Sequence, residues 1–162
     1  MEMESLQDLL VNELKDLYNA ENQLIKALPK MAKAASNPDL QQAFTTHLEE
    51  TKEHAERLEK IFETLDESPK GEKCKAMEGL IEEGKEMMEE DAEPEVLDAA
   101  LISAAQKVEH YEIASYGCVR TYAKLLGNEA AARILQQTLD EEGKTDKLLT
   151  DLAERLINVE AA

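Results

Sequence analysis

Apolar residues recur every three or four positions along most of the chain, which is the period of an amphipathic helix. Such lines of apolar residues run over 6–35, 40–65, 97–126 and 131–156. A shorter line of the same period runs from Met77 to Met88. The pattern therefore predicts four long helices and one short helix.

Residues typical of helix ends mark the boundaries of these segments. Ser5 followed by Asp8 forms a capping pair at the first helix. Asn37 precedes Pro38, which suits the first position of a helix, and Gly127 is typical of the position after a helix end. The expected helices are about 5–35, 38–65, 74–90, 94–126 and 129–158.

The lengths of the connections indicate how the helices are arranged. Two connections are short turns, whereas the connection over 66–93 is long and carries the short helix. An up-down four-helix bundle with one long crossover has this layout. At 162 residues, the chain is long enough for one such domain and too short for two. We therefore predict a single all-α domain over 1–162.

Composition supports the all-α prediction and restricts the partners. Ala, Leu, Glu, Lys and Gln dominate, and the chain has only six Gly and four Pro. Acidic residues outnumber basic residues by 36 to 18, which gives a net charge of −18. Such a chain repels nucleic acid and anionic membranes and attracts cations.

Targeting features and cysteine usage point to the cytoplasm. The amino-terminal residues lack the basic and apolar regions of a secretory signal. No apolar stretch approaches the roughly 18 residues that a membrane-spanning helix needs. Cys74 and Cys118 have no metal-type spacing and are typical of reduced cytoplasmic thiols.

Three glutamates interrupt the apolar lines near the middle of three different long helices. These are Glu21, Glu112 and Glu142. A buried carboxylate costs free energy unless a proton, a partner or a cation compensates it. The apolar lines contain no Lys or Arg that would pair with them. A cation shared between the helices is therefore a candidate explanation.

The second long helix supplies further candidate ligands. His47 and His54 lie on its apolar face, and Glu50 lies at the edge of that face. Glu50 and His54 are one helical turn apart, so they can reach a common ion. Iron and manganese accept carboxylate and imidazole ligands from facing helices, and shared carboxylates would allow two metals.

Two more acids are weaker candidates. Glu109 and Asp146 lie farther from the centres of their helix faces, while Glu141 is expected to point to the flank and be solvated. A histidine on an apolar face is more often a hydrogen-bonded core residue than a ligand, so a metal-free polar network remains an alternative. The predicted metal-ligating residues are Glu21, His47, Glu50, His54, Glu109, Glu112, Glu142 and Asp146.

Five segments taken together resemble the YciE/YciF family of ferritin-like stress proteins. They are AENQLIKALPKMAKAASN, HLEET, CKAMEGLIEEG, DAALISAAQKVEHYEIASYG and TLDEEGKTDKLLTDLA. The resemblance extends from about Leu6 to Ala153, and the YciF branch of the family is the nearer one. It implies a ferritin-like bundle, a cytoplasmic stress-related homodimer and a di-metal centre like that of rubrerythrin. It implies no particular reaction.

The ligand pattern of ferritin-like proteins maps only partly onto this chain. The matching positions are Glu21, His54, Glu109, Glu112 and Glu142. Thr51 and Thr145 stand where that pattern has a glutamate and a histidine, and Glu50 is one residue early. His47 or Asp146 is expected to compensate for the missing ligands.

Two functions of different classes follow from these patterns. The first is a non-haem protein with iron or manganese, in a di-metal centre, that handles oxygen, peroxide or ferrous ion. The second is a non-catalytic scaffold that has lost its metals and acts in stress through protein interactions. The sequence identifies no small-molecule substrate for either.

Overall fold

Helices make up almost the whole chain in the computed structural model, which describes residues 2–162. The five main helices are α1 (Leu6–Ala34), α2 (Pro38–Leu65), α3 (Lys75–Glu89), α4 (Pro94–Leu125) and α5 (Glu129–Leu152). A π-helical turn (Ala153–Ile157) and a short helix α6 (Asn158–Ala161) continue α5. Residues 2–162 contain no strand, and the all-α prediction is confirmed.

Side-chain caps begin three of the long helices. The Ser5 hydroxyl accepts the Asp8 N–H at 3.1 Å, and Asn128 accepts an N–H in the first turn of α5. Asn37 Oδ1 accepts two N–H groups in the first turn of α2. Each cap satisfies a donor that the helix itself leaves unpaired, which fixes where the helix begins.

The helices form two antiparallel hairpins that pack into a four-helix bundle. The short turns join α1 to α2 and α4 to α5, and the hairpins meet through contacts of α1 with α4 and of α2 with α5. The crossover over 66–93 carries α3, which packs on α1 and α4. This is the ferritin-like up-down bundle with a long crossover that the sequence predicts.

Two clusters of apolar side chains form the core. One cluster includes Leu24, Phe44 and Leu149, and the other includes Leu14 and Phe62. Each long helix passes from one cluster to the other, so its middle lies between them. Burial of these clusters stabilises the bundle. Within residues 2–162, no helix is both long and apolar enough to span a bilayer.

Partly buried hydrogen bonds from two side chains hold the connections against the bundle. The carboxylate of Asp98 on α4 accepts the N–H groups of Ser36 and Asn37, at 2.8 and 2.9 Å, in the turn between α1 and α2. The N–H of Cys74, just before α3, donates to Asn19 Oδ1 on α1 at 2.8 Å. These contacts position the α1–α2 turn and the crossover without contacting the middle of the bundle.

Candidate metal centre

A layer of buried polar side chains lies between the two apolar clusters. All four long helices contribute to it, because each has its polar core residues near its middle. The members of this polar layer are Glu21, His47, Thr51, His54, Glu109, Glu112, Thr138, Glu142 and Thr145. Most of the buried polar side chains in residues 2–162 therefore meet at one level of the bundle.

The first candidate ion position joins residues from all four long helices. One ligand atom from each of four residues lies within 4.8 Å of the others; the residues are Glu21, His54, Glu112 and Glu142. His54 Nδ1 lies 2.9 Å from Glu142 Oε1 and 3.9 Å from Glu21 Oε2. The three glutamates that interrupt the apolar lines of the sequence thus come together around one histidine.

The second candidate ion position adjoins the first. Ligand atoms of His47, Glu109 and Glu142 lie within 4.8 Å of one another. His47 Nε2 lies 2.6 Å from Glu109 Oε1. Glu142 belongs to both groups, so its carboxylate is in position to bridge two cations.

The ligand atoms of these groups lack hydrogen-bond partners. Eight buried side-chain atoms in residues 2–162 are unpartnered: Glu21 Oε2, His47 Nε2, His54 Nδ1, Glu109 Oε2, and both carboxylate oxygens of Glu112 and of Glu142. His47 and His54 approach glutamate oxygens closely, but without the alignment of a hydrogen bond. Buried polar atoms are normally satisfied, and this donor set of carboxylates and imidazoles suits iron or manganese. The residues therefore fit a metal centre.

Burial and mutual repulsion hold protons on the carboxylates when no cation is bound. Burial raises the pKa of Glu21 from 4.5 to about 7. Burial, together with neighbouring glutamate charges, raises the pKa values of Glu112 and Glu142 well above their ordinary value. Carboxylates that resist ionisation alone become favourable ligands when a cation supplies the missing positive charge.

The two histidines are in opposite charge states. Burial lowers the pKa of His54 to about 4, so its ring is neutral. Burial also acts to lower the pKa of His47, but the negative charge of Glu109, whose Oε1 lies 2.6 Å from Nε2 of the ring, outweighs it and raises that pKa well above 6.5. The pKa of Glu109 is lowered because the pull of His47 outweighs the effect of burial. Without metal, these two residues form a buried ion pair, and a cation would displace the histidine proton.

Glu141 orients His54, which corrects the expectation that Glu141 is solvated. His54 Nε2 donates to Glu141 Oε2 at 2.8 Å, and Arg57 holds both oxygens of the same carboxylate at 2.6 and 3.0 Å. Since Nε2 carries the proton, Nδ1 of the neutral ring is free to bind a cation. Sequence reasoning missed this pair, although Arg57 lies one turn after His54 on α2.

A tyrosine supports the same site from α4. The fully buried Tyr116 hydroxyl donates to Glu21 Oε1 at 2.9 Å, which leaves Glu21 Oε2 as the free oxygen. The other tyrosines of the helices behave differently. Tyr111 donates to Asp16, and Tyr18 donates to Glu59 on the surface. Of these three tyrosines, Tyr116 is thus the one that contacts a candidate ligand.

Two predicted ligands lie outside both groups. Glu50 has a side chain that is 36% exposed, and its Oε2 is 3.6 Å from His47 Nδ1 and 3.4 Å from Thr145 Oγ1. Asp146 lies at the flank, where it accepts a hydrogen bond from Gln106 and contacts the exposed His110. The structure brings together the other six predicted residues.

Thr51 and Thr145, which stand where ferritin-like proteins have ligands, make hydrogen-bond contacts within α2 and between α5 and α2. The Thr51 hydroxyl donates to the backbone oxygen of His47 at 2.7 Å. Thr145 Oγ1 lies 3.5 Å from His47 Nδ1. A surface cavity of about 360 Å³ between α2 and α5 is lined by His47, Glu50 and Thr145, among others. It connects solvent to one candidate ligand, so a small solute can approach the second ion position.

Comparison of the sequence with known proteins identifies related chains over nearly its full length. Residues 5–162 match the domain of unknown function DUF892. The chain is 51% identical over 162 residues to protein YciF of Escherichia coli (strain K12), covering 99% of this chain and 98% of that protein. Both matches agree with the family resemblance noted in the sequence.

Solved structures match the fold. The crystal structure of the E. coli stress protein YciF gives a TM-score of 0.93 at 52% identity and covers 96% of this chain and 99% of that one. YcfI from Rhodopseudomonas palustris is described as a candidate structural protein. Its structure gives a TM-score of 0.89 at 45% identity and covers 92% of this chain and 95% of that one. A protein from Xanthomonas campestris gives a TM-score of 0.77 at 21% identity and covers 97% of this chain and 96% of that one. At this identity the match shows a shared fold and nothing about function.

Proposed function

The chain belongs to the DUF892 family, and from that premise we propose that it is a stress-related, non-haem di-metal protein. In this proposal the polar layer holds iron or manganese, and the protein handles oxygen, peroxide or ferrous ion. The relatives support the link to stress, because E. coli YciF is described as a stress protein. The metal chemistry is inferred from the buried side chains.

The observation that carries the proposal is the set of eight unpartnered oxygen and nitrogen atoms in the polar layer. Leaving one buried polar group unsatisfied costs about 1–3 kcal/mol, and more if the group is charged. All eight atoms belong to residues of the two ligand groups. Two shared cations would satisfy them together, because each ion would be bound by an atom from every residue of its group.

Each residue of the layer has a role in this proposal. Glu142 would bridge the two ions, and Glu112 would offer two free oxygens to the first. Tyr116 fixes Glu21, and Glu141 fixes the ring of His54. When bound, two such metals supply redox chemistry with oxygen or peroxide. The two apolar clusters separate the layer from solvent at both ends of the bundle.

Elemental analysis of protein purified without chelators or added metal tests the proposal. We expect about two equivalents of iron or manganese per chain. Glu112→Gln and Glu142→Gln keep the side-chain size but remove charge, so each should lose metal. Glu95→Gln changes an exposed glutamate on α4, and this control variant should retain its metal. The rate at which the protein oxidises added ferrous ion in air should fall in Glu112→Gln and Glu142→Gln and stay at the wild-type level in Glu95→Gln.

A metal-free scaffold is the second candidate function. Its support is that Thr51 and Thr145 occupy two positions where ferritin-like proteins have ligands, and that the Thr51 hydroxyl is satisfied by the backbone. In this case the glutamates stay protonated. Folded wild-type protein that stays free of metal after incubation with ferrous and manganous salts would favour the scaffold and overturn the di-metal proposal.

A further inference from the structure

A groove on the outside of the bundle lies between α1 and α3. Its volume is about 230 Å³. Leu24 and Met31 from α1, Ile81 and Met88 from α3, and Val108 from α4 provide much of its apolar lining. α3 packs on α1 and α4, so the groove lies at the surface where these helices meet.

Three lysines line the same groove. Lys26 and Lys30 lie one turn apart on α1, and Lys85 lies on α3. Elsewhere on the surface, Lys52 and Lys73 each pair with a glutamate, at 2.9 and 2.5 Å. Within residues 2–162, no carboxylate lies within 4.0 Å of any of the three groove lysines. Three lysine side chains without an ion-pair partner therefore border an apolar surface, on a protein whose net charge is −18.

We propose that this groove binds a medium-chain fatty acid, with the alkyl chain on its apolar lining and the carboxylate among Lys26, Lys30 and Lys85. An apolar lining with a small number of polar or charged groups is typical of ligand pockets. At about 230 Å³, the groove is smaller than the roughly 300–1,000 Å³ of pockets for drug-sized molecules, which favours a single alkyl chain over a ring system.

A second copy of the chain fits this surface less well. A two-fold interface places the same patch of both copies against itself. Such an interface would add three more lysines to a patch whose own lysines have no ion-pair partner, and it would not supply the single anionic group that a fatty acid supplies. A small anion neutralises the same lysines and covers the apolar surface.

The groove also adjoins the polar layer. Leu24, Met31 and Val108 line both the groove and a small internal void that reaches His47 and Glu109. These three side chains form a wall between the groove and the second ion position. The ligand site does not depend on a bound metal, so its test is separate from the metal analysis.

Isothermal titration calorimetry with octanoate, decanoate and dodecanoate, each below its micelle concentration, tests the proposal. We expect one saturable site per chain. Affinity should rise roughly fourfold per added methylene until the chain fills the groove, since burying each methylene contributes about 0.8 kcal/mol. Decanol lacks the charge and should bind about tenfold more weakly than decanoate, as expected for the loss of a few exposed ion pairs.

Paired variants separate the groove from the overall charge. Lys26→Glu/Lys30→Glu/Lys85→Glu should weaken decanoate binding at least about tenfold. Lys33→Glu/Lys60→Glu/Lys147→Glu makes the same change in net charge at exposed lysines outside the groove and should retain binding. Circular dichroism should show both variants as helical as the wild type.

Ala27→Phe places a bulky side chain in the groove and leaves its lysines unchanged. We expect it to abolish binding. The proposal is overturned if the wild type shows no saturable binding, or if both triple variants weaken binding equally. It is also overturned if the groove variant alters sedimentation while decanoate does not bind, because the groove would then be a protein contact.

Discussion

Glu142 is the residue that the two groups of candidate ligands share. It lies on α5 between His54 and Glu109, which belong to different ion positions. Both of its oxygens are buried and unpartnered, and its raised pKa reflects burial and the negative charge of Glu109. A carboxylate in this environment is unfavourable alone and favourable between two cations.

The contact of Glu141 with His54 gives a prediction at a residue outside the ligand groups. Glu141→Gln weakens the hold on the His54 ring and lowers the basicity of Nδ1. We expect a 10–100-fold loss of metal affinity, the range found when a hydrogen-bond partner of a ligating histidine is removed. Competition with a coloured chelator measures this loss. Asp140→Asn, an exposed neighbour, is the control, and equal affinity in both variants would contradict the assigned role.

The sequence revealed the ligands better than the residues that support them. Glu21 and Glu112 can be recognised in the sequence because each interrupts a line of apolar residues. A carboxylate at such a position costs free energy to bury, which suggests a specific role. Glu141 sits one position away from Glu142, at the flank of its helix, where a solvated glutamate is the usual case. Its contact with Arg57 on another helix depends on the rotation of α2 against α5, which helical periodicity does not specify.

The pKa shifts predict how the metal-free protein responds to pH. The raised pKa values of Glu21, Glu112, Glu142 and His47 give stability that is present at low pH and lost as pH rises through the folded-state values. The lowered pKa of His54, about 4, has the opposite effect on stability: it reduces the free energy of unfolding as pH falls below 6.5 and has little effect above that pH. Above about pH 6.5, the free energy of unfolding should therefore fall.

Urea unfolding in EDTA at about pH 6.5 and 8.5 measures this effect. Glu21 alone, with a pKa of about 7, should account for a loss of about 1 kcal/mol over this range. Glu112→Gln has no proton to lose at that position and should show a smaller fall. Stability that stays constant or rises with pH over the same range would contradict the raised pKa values of these carboxylates.

At the scale of helices and turns, Asp98 provides the clearest prediction. It accepts two backbone N–H groups of the α1–α2 turn, so Asp98→Ala leaves both without their partner. We expect a loss of about 2–4 kcal/mol in the free energy of unfolding, and about half of that for Asp98→Asn, which retains one acceptor oxygen. Glu95→Ala, one turn earlier and exposed, is the control. A loss of stability no larger than that of the control would show that the hydrogen bonds of Asp98 to the α1–α2 turn do not stabilise the fold.

Helix boundaries followed the sequence closely where local capping determines them. Asn37 and Ser5 cap the helices that the sequence assigned to them. The start of α3 was harder to explain from sequence, because the Cys74 thiol caps it while Asn19 on α1 holds the Cys74 N–H. The π-helical turn at Ala153–Ile157 also lay within a segment expected to be regular helix. Both features depend on contacts between distant parts of the chain.

At the scale of the whole molecule, the topology brings the ligands to one level. Each long helix runs from one apolar cluster to the other, so residues near the four helix centres meet even though they are far apart in sequence. The excess of acidic residues, which gives a net charge of −18, favours the approach of cations to this layer. The fold therefore brings the candidate ligands together, and the overall charge suits cations as their partners.

Anomalous X-ray scattering from crystals soaked in ferrous or manganous salt is the measurement that tests the shared-cation site most directly. Data collected on either side of the metal absorption edge locate each ion independently of the protein density. We expect two neighbouring peaks on either side of the Glu142 carboxylate, one beside His54 and one beside His47. Peaks confined to surface carboxylates, with no anomalous signal in the polar layer, would contradict the metal centre.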